Sequence, residues 1–247
     1  MDIREYLFSK KEQFSDLEIL TFEFRIQRKQ LLKFLLQKMD IDAIEPIITS
    51  SIISSRVHAF QSWIDLQQFP INLVSLFVSD EFRVGAVAKR AIKENEVYLR
   101  IPPQVIMDVK SAHACPILGP IFKELESTIG SDPEFELILH LMFETFVKKK
   151  SSFYAPYLNL LPSLSEMHSA LLYTQEQMED LICTDLHIII EKMQVELERH
   201  FEALETRIWK KYPQVFPPRQ FTWKHFQWAS SIVHSRAIWY EDHFKLY

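Results

Sequence analysis

Apolar residues recur at helical spacing along most of this chain and at strand spacing in one short region. From residue 15 to residue 39 there is no Gly or Pro. Leu20, Phe24, Leu31, Leu35 and Met39 fall near one face, and Arg25, Arg28, Lys29 and Lys33 gather beside them. This predicts an amphipathic helix with a solvated basic face. Residues 46–55, PIITSSIISS, read as a connection or a short strand. Residues 56–68 read as a helix with Phe60, Trp63 and Ile64 on one side, closed by Pro70, and residues 71–78 read as a strand. Residues 84–88 are short, apolar and β-favouring. Lys93-Glu94-Asn95 supplies turn chemistry, and residues 97–101 alternate with period two until Pro102. That is a strand, a short excursion and a second strand, a hairpin many β-rich domains contain.

The remainder is helical. Short helical pieces follow Pro102. Ser131-Asp132-Pro133-Glu134 is a helix start, with a polar cap, Pro in the first turn and an acidic residue at the positive end. The spacing predicts a helix to about residue 147, with Phe135, Ile138, Leu139, Met142 and Phe146 inward. Lys148-Lys149-Lys150 then reads as a solvated helix end or as a nuclear-localisation patch. Residues 174–212 form the longest helical stretch. Leu186, Ile190, Met193, Leu197, Phe201, Leu204 and Ile208 step by three or four, as in a coiled-coil partner helix or one packed within the chain. His187 and His200 lie on it without a second ligand pair at metal spacing and read as ordinary helical histidines. Thr222 caps a last helix carrying Phe226, Trp228, Ala229, Ile232 and Val233, which Ser235-Arg236 ends.

Composition narrows the function classes. Apolar content of 47% suffices for the core of one large or two modest domains. A net charge of −5 argues against a general nucleic-acid binder, which shows a basic face. With Gly85, Gly119 and Gly130 alone, neither a P-loop nor a dinucleotide-binding glycine pattern occurs. Cys115 and Cys183 suit a reducing compartment and cannot form a four-thiolate zinc site. Nucleophile-elbow and HExxH patterns are absent. No apolar run has signal-peptide or membrane-spanning character. The expectation is a cytoplasmic protein, with the nucleus as a second location, and no nucleic-acid, membrane or metal partner.

Four strings resemble the split-SET methyltransferases, most nearly their actin-histidine N-methyltransferase branch. Gly85, Ala88, Ile92, Glu96, Ile101 and Pro102 match the opening of that domain. Val109-Lys110-Ser111-Ala112 followed by Leu118-Gly119-Pro120 is similar to a "V-x-S-A … L-G-P" string of that branch. Pro156, Tyr157, Leu158, Leu161 and Pro162 match "P-Y-L-x-x-L-P", a proline-bracketed turn read here as structural. Residues 221–236 resemble "F-T-x-x-x-[YF]-x-W-A-x-S-x-V-x-[ST]-R". The resemblance spans about residues 17–240.

It implies an α+β fold: an incomplete SET domain whose small mixed β-sheet comes from residues 71–102. A helical lead-in would occupy residues 1–70. The partial SET domain would occupy residues 71–247, with a helical insertion at about 115–220 and no substrate-binding domain. It also implies S-adenosylmethionine (SAM) as cofactor, held by Arg236, Arg56 and the loop Glu81-Phe82-Arg83-Val84-Gly85. Arg236 would pair with the methionine carboxylate; on position alone it equally fits a surface helix-end cation. Arg83 stands where the family has a glycine, so strain and weak SAM binding are expected. Ile238 stands where the branch has an imidazole-orienting Asn. Asp242-His243 is not the family's Asn-His motif, and no residue matches the catalytic Tyr segment, so no catalytic or substrate-binding residue is assigned. The implied function is histidine methylation of a protein such as actin, with reduced or no activity in this truncated chain. A protein-lysine methyltransferase and a non-catalytic SET-like interaction module are the alternatives.

Overall fold

The computed structural model describes residues 50–79, 83–129, 132–240 and 243–246. The helix expected over residues 15–39, and with it most of the lead-in, lies outside the described residues. The chain divides into two units. One is Pro46–Tyr173 with Cys183–Tyr247, and the other is Met1–Glu45 with Thr174–Ile182.

Helix α1 (Ser50–Leu66) begins earlier than expected. Residues read as a connection from their serines are helical from Ser50 onward. Buried Ile53 and Val57 continue, three and four residues apart, into half-buried Phe60 and Ile64, so one stripe crosses the supposed boundary. After Pro70 come β1 (Ile71–Asn72), β2 (Val74–Ser79), β3 (Arg83–Ala88) and β4 (Leu99–Arg100).

The expected strand pair does not close on itself. β3 pairs antiparallel with β2, placing Gly85 opposite Phe77, and β4 pairs back with β1. The excursion between β3 and β4 is a tied turn. Arg90 pairs with Glu96, and Glu96 also accepts the Lys93 amide at 2.9 Å. A third ladder joins β5 (Met107–Asp108) to β7 (His243–Leu246), with β6 (Ala237–Tyr240) on its other side. A single sheet from residues 71–102 is therefore corrected to two two-stranded ladders plus a three-stranded one using the chain's last described residues.

The family-like strings have direct physical causes. Asp108 caps α2 (Val109–Ala114): its Oδ1 accepts the Ser111 amide at 2.8 Å, while Ser111 Oγ accepts the Asp108 amide at 2.9 Å. Gly119 sits near the start of α3 (Leu118–Ile129), where a Cβ would lie 2.1 Å from the His113 carbonyl oxygen. Only glycine lets the two helices approach this closely.

Helix α4 (Pro133–Met142) starts as expected, with Asp132 accepting the Glu134 and Phe135 amides. It does not continue as an α-helix to residue 147. It widens into a π-helical turn over Phe143–Lys148, which carries buried Glu144. Helix α5 (Ala155–Leu158) follows.

The long helix expected over residues 174–212 is also broken. α6 (Gln175–Glu179) belongs to the second unit, closed by a capping box between Thr174 and Gln177. α7 (Asp185–Leu204) starts afresh, because Cys183 takes a positive φ of 69° and Thr184 caps the new helix. A π-helical turn over Glu205–Trp209 ends it. Its buried face, Ile190, Leu197 and Leu204, packs within the chain. His200 stacks edge-on to Phe135 at 4.3 Å.

Helix α8 (Trp223–Arg236), capped by Thr222, crosses α4. Phe226, Ala229 and Ile232 meet Leu137, Ile138 and Leu141 in a dry core, and Phe201 sets its edge against Trp209 and Trp223.

Among the described residues, the most strongly perturbed carboxylate lies where α4 widens. Burial pushes the Glu144 pKa up, but His140, Lys148 at 2.7 Å and Ser152 at 2.7 Å outweigh it and hold the value at about 2, against an ordinary 4.5. The folded value is depressed, so this stabilisation is complete above pH 4.5 and is lost as pH falls toward 2. It amounts to about 2 kcal/mol, allowing for solvent screening. Urea denaturation between pH 2 and 6 should show Glu144→Gln losing less stability on acidification than the parent, by that amount. Parallel pH profiles would contradict the assignment.

Candidate functional site

The site is built on the turn after α5. Four successive carbonyls, Asn159 to Pro162, point out of this turn, and each is met by a donor from a distant element. Arg56 Nη1 of α1 donates to Asn159 O at 3.2 Å. Arg83, at the head of β3, donates through Nη1 to Leu160 O and through Nη2 to Leu161 O at 3.4 Å. Trp228 Nε1 of α8 donates to Pro162 O at 2.8 Å. Carbonyls at a helix end have no intrahelical partner, so such capping is required wherever they are shielded from water.

Arg83 takes a strained conformation of the kind expected for an arginine at a glycine position, with φ of 63°. For a residue with a side chain this costs about 1–2 kcal/mol. The guanidinium offsets the cost by reaching the two carbonyls and by pairing through Nε with Glu166 at 3.2 Å. Glu166 is held in turn by Ser163, whose amide and hydroxyl each donate to it at 2.7 Å. Burial raises the Glu166 pKa, but Ser163 and Arg83 bring it below its ordinary value.

Gly85 is not the positive-φ residue. It lies within β3, where a Cβ would come within 2.6 Å of the Phe77 ring, so its role is close cross-strand approach. Val84 pairs with Val78 beside it. Glu81 and Phe82 lie outside the described residues.

Arg236 ends α8 at an exposed position and, among the described residues, donates to the neighbouring Ser235 Oγ at 2.9 Å. Among the described residues no carboxylate pairs with it. Partial burial lowers its pKa, Tyr157 works against that, and the like charge of Arg83 adds to the lowering. Burial pushes the Tyr157 pKa up to about 12 despite the Arg236 charge, and its hydroxyl has no hydrogen-bond partner. Arg236 opens onto a cavity of about 270 Å³ shared with Pro162, Glu166, His168, Ser169 and His234. Tyr157 also lines a second, apolar cavity of about 320 Å³, with Phe60, Trp63, Leu76, Leu99 and Tyr154.

Three sequence-singled arginines thus meet around one turn, in different states. Arg56 and Arg83 are engaged with carbonyls, and Arg236 keeps a largely unpaired guanidinium fork. Such a fork suits a carboxylate. Glu166 and Trp228's capping role were missed in the sequence. Ser163-Leu164-Ser165-Glu166 is a capping-box signature that could have revealed the first. Ile238 lies on β6, 56% exposed, opposite Lys245. Among the described residues no group of three His, Cys, Asp or Glu is placed to hold a metal ion. No described helix is long and apolar enough to cross a membrane.

No family model matches the chain. Known proteins do. It is 28% identical over 216 residues to the chloroplastic [fructose-bisphosphate aldolase]-lysine N-methyltransferase of Arabidopsis thaliana, covering 86% of this chain and 42% of that protein. It is 26% identical over 157 residues to actin-histidine N-methyltransferase of Homo sapiens, covering 62% of this chain and 25% of that protein. Its fold is similar to that of Rubisco LSMT bound to AdoMet, with a TM-score of 0.65, 23% identity, and coverage of 78% of this chain and 42% of that one. The SET domain of LSMT bound to lysine and AdoHcy gives a TM-score of 0.66 at 22% identity, covering 78% of this chain and 43% of that one. The curated proteins it resembles are thus lysine and histidine N-methyltransferases, and its fold is similar to the SET domain of LSMT. It spans less than half the length of each of these relatives.

A buried hydroxyl without a partner stabilises nothing. Tyr157→Phe should therefore leave the thermal midpoint unchanged or raise it, by up to about 1 kcal/mol of stability. A clear fall in the midpoint would show that the hydroxyl has a partner in the folded protein.

Proposed function

We propose that this chain binds the SAM of a protein methyltransferase, with Arg236 holding the methionine carboxylate. The observation that carries the reading is the unpaired Arg236 fork at the wall of a cavity, beside a turn that Arg56 and Arg83 fix. SAM supplies an electrophilic methyl group on its sulfonium. The protein's tasks are to anchor the cofactor, align an acceptor nitrogen with that methyl and let the nitrogen lose its proton. In this chain Arg236 does the anchoring, while Arg83 and Glu166 hold the head of β3 against the turn.

The acceptor in this reading is a side-chain nitrogen of a protein. The relatives' names divide between lysine and histidine. Ile238 offers no hydrogen bond that could orient an imidazole, which favours lysine over histidine, and so over actin histidine, as the acceptor. The strain at Arg83 favours weak binding, with a Kd of tens of micromolar or above, on the order of −6 kcal/mol.

Calorimetric titration of the folded chain with SAM tests this. Binding should be measurable, and Arg236→Ala should weaken it at least about tenfold, the size of one charge-assisted hydrogen-bond pair. Equal binding by parent and variant would remove Arg236 from the site. A folded chain that binds no SAM would instead fit a non-catalytic SET-like module.

A further inference from the structure

Helix α8 ends on His234-Ser235-Arg236, and all three residues line the cavity at its end. His234 Nε2 pairs with Glu134 at 2.8 Å, and solvent reaches both side chains. Glu134 sits in the first turn of α4, beside the Asp132 cap. The pair therefore ties the end of α8 to the start of α4 and stands on the cavity wall with Arg236. Helix ends favour both partners, a carboxylate in a first turn and a cationic imidazole in a last turn. Among the described residues, the other ionisable groups on this cavity are His168 and Glu166, and Glu166 is engaged with Arg83 and Ser163.

Glu134 holds the His234 pKa above its ordinary 6.5, against an opposing effect of burial. Below the raised value the pair is neutral. Above it the imidazole is uncharged, and Glu134 leaves one net negative charge at the wall. Charges fixed elsewhere enter equally at both ends of this titration and do not change its sign. A ligand carboxylate held by Arg236 is thus repelled by the pair only after His234 has lost its proton.

We propose that His234 is a positioning residue for the cofactor, which with Glu134 makes carboxylate binding at Arg236 depend on a proton. The proposal rests on the cofactor reading above. It adds a residue that the related pattern leaves open, since His234 falls at an unspecified position of "V-x-[ST]-R". Screening by solvent limits the effect to about a threefold loss of affinity as pH rises through the His234 titration. By linkage, binding the anion takes up part of a proton in the same range.

The experiment is calorimetric titration of the full chain with S-adenosylhomocysteine between about pH 5.5 and 7.5, in two buffers of different ionisation enthalpy. The ligand carboxylate stays ionised throughout. Parent, His234→Gln and Glu134→Gln are compared, with circular dichroism confirming the fold of each. The parent should lose about threefold in affinity toward the upper end and take up protons on binding. His234→Gln, which cannot become charged, should give a flat profile without that uptake. Glu134→Gln should move the fall to lower pH. If His234→Gln does not fold, the Glu134→Gln shift and the proton count carry the test. Binding with parallel pH profiles for parent and His234→Gln would overturn the proposal while leaving the cofactor reading intact. Failure of the folded parent to bind at any pH would overturn both.

Discussion

Four consecutive carbonyl groups need donors, and satisfying them ties this chain's parts together. The turn from Asn159 to Pro162 takes its donors from α1, from the head of β3 and from α8. Buried or half-buried carbonyls left unpaired cost on the order of 1–3 kcal/mol each. One short turn thereby fixes the position of three elements far apart in sequence. The dry core of α4 and α8 holds the same region from beneath, and Gly119 and Asp108 set how closely the intervening helices approach.

The same constraint explains why three arginines of similar sequence appearance differ in chemistry. Arg56 and Arg83 direct their N–H groups at carbonyls, so their charge is local and their geometry is fixed. Arg236 lies exposed at a helix end where, among the described residues, a serine hydroxyl is its hydrogen-bond partner, beside a cavity and a tyrosine hydroxyl that has none among them. An unpaired guanidinium fork next to unsatisfied polar atoms is where an anionic group of a ligand would be stabilised. The strain at Arg83 is a related consequence. An arginine in a glycine-like conformation persists because its side chain donates to two carbonyls and forms an ion pair with Glu166.

Local chemistry was the legible part of the sequence. Asp132-Pro133 and Thr222 start helices as their types require, and the strings around Ser111, Gly119, Pro162 and Arg236 pointed to the fold. Partner choice was not legible. Nothing in residues 84–101 shows that β3 pairs with β2 and β4 with β1, because register depends on residues outside the local pattern. The break before α7 was hidden because Cys183 takes its positive φ with no glycine to mark the turn. Glu166 escaped notice because its site role depends on Arg83, which lies far earlier in the chain and on another element.

The most direct measurement is a crystal structure of the chain with S-adenosylhomocysteine bound. The account expects the ligand carboxylate within about 3 Å of the Arg236 guanidinium, with Arg83 still donating to the carbonyls of Leu160 and Leu161. A carboxylate held elsewhere, or an Arg83 side chain released from the turn to take it, would contradict the account.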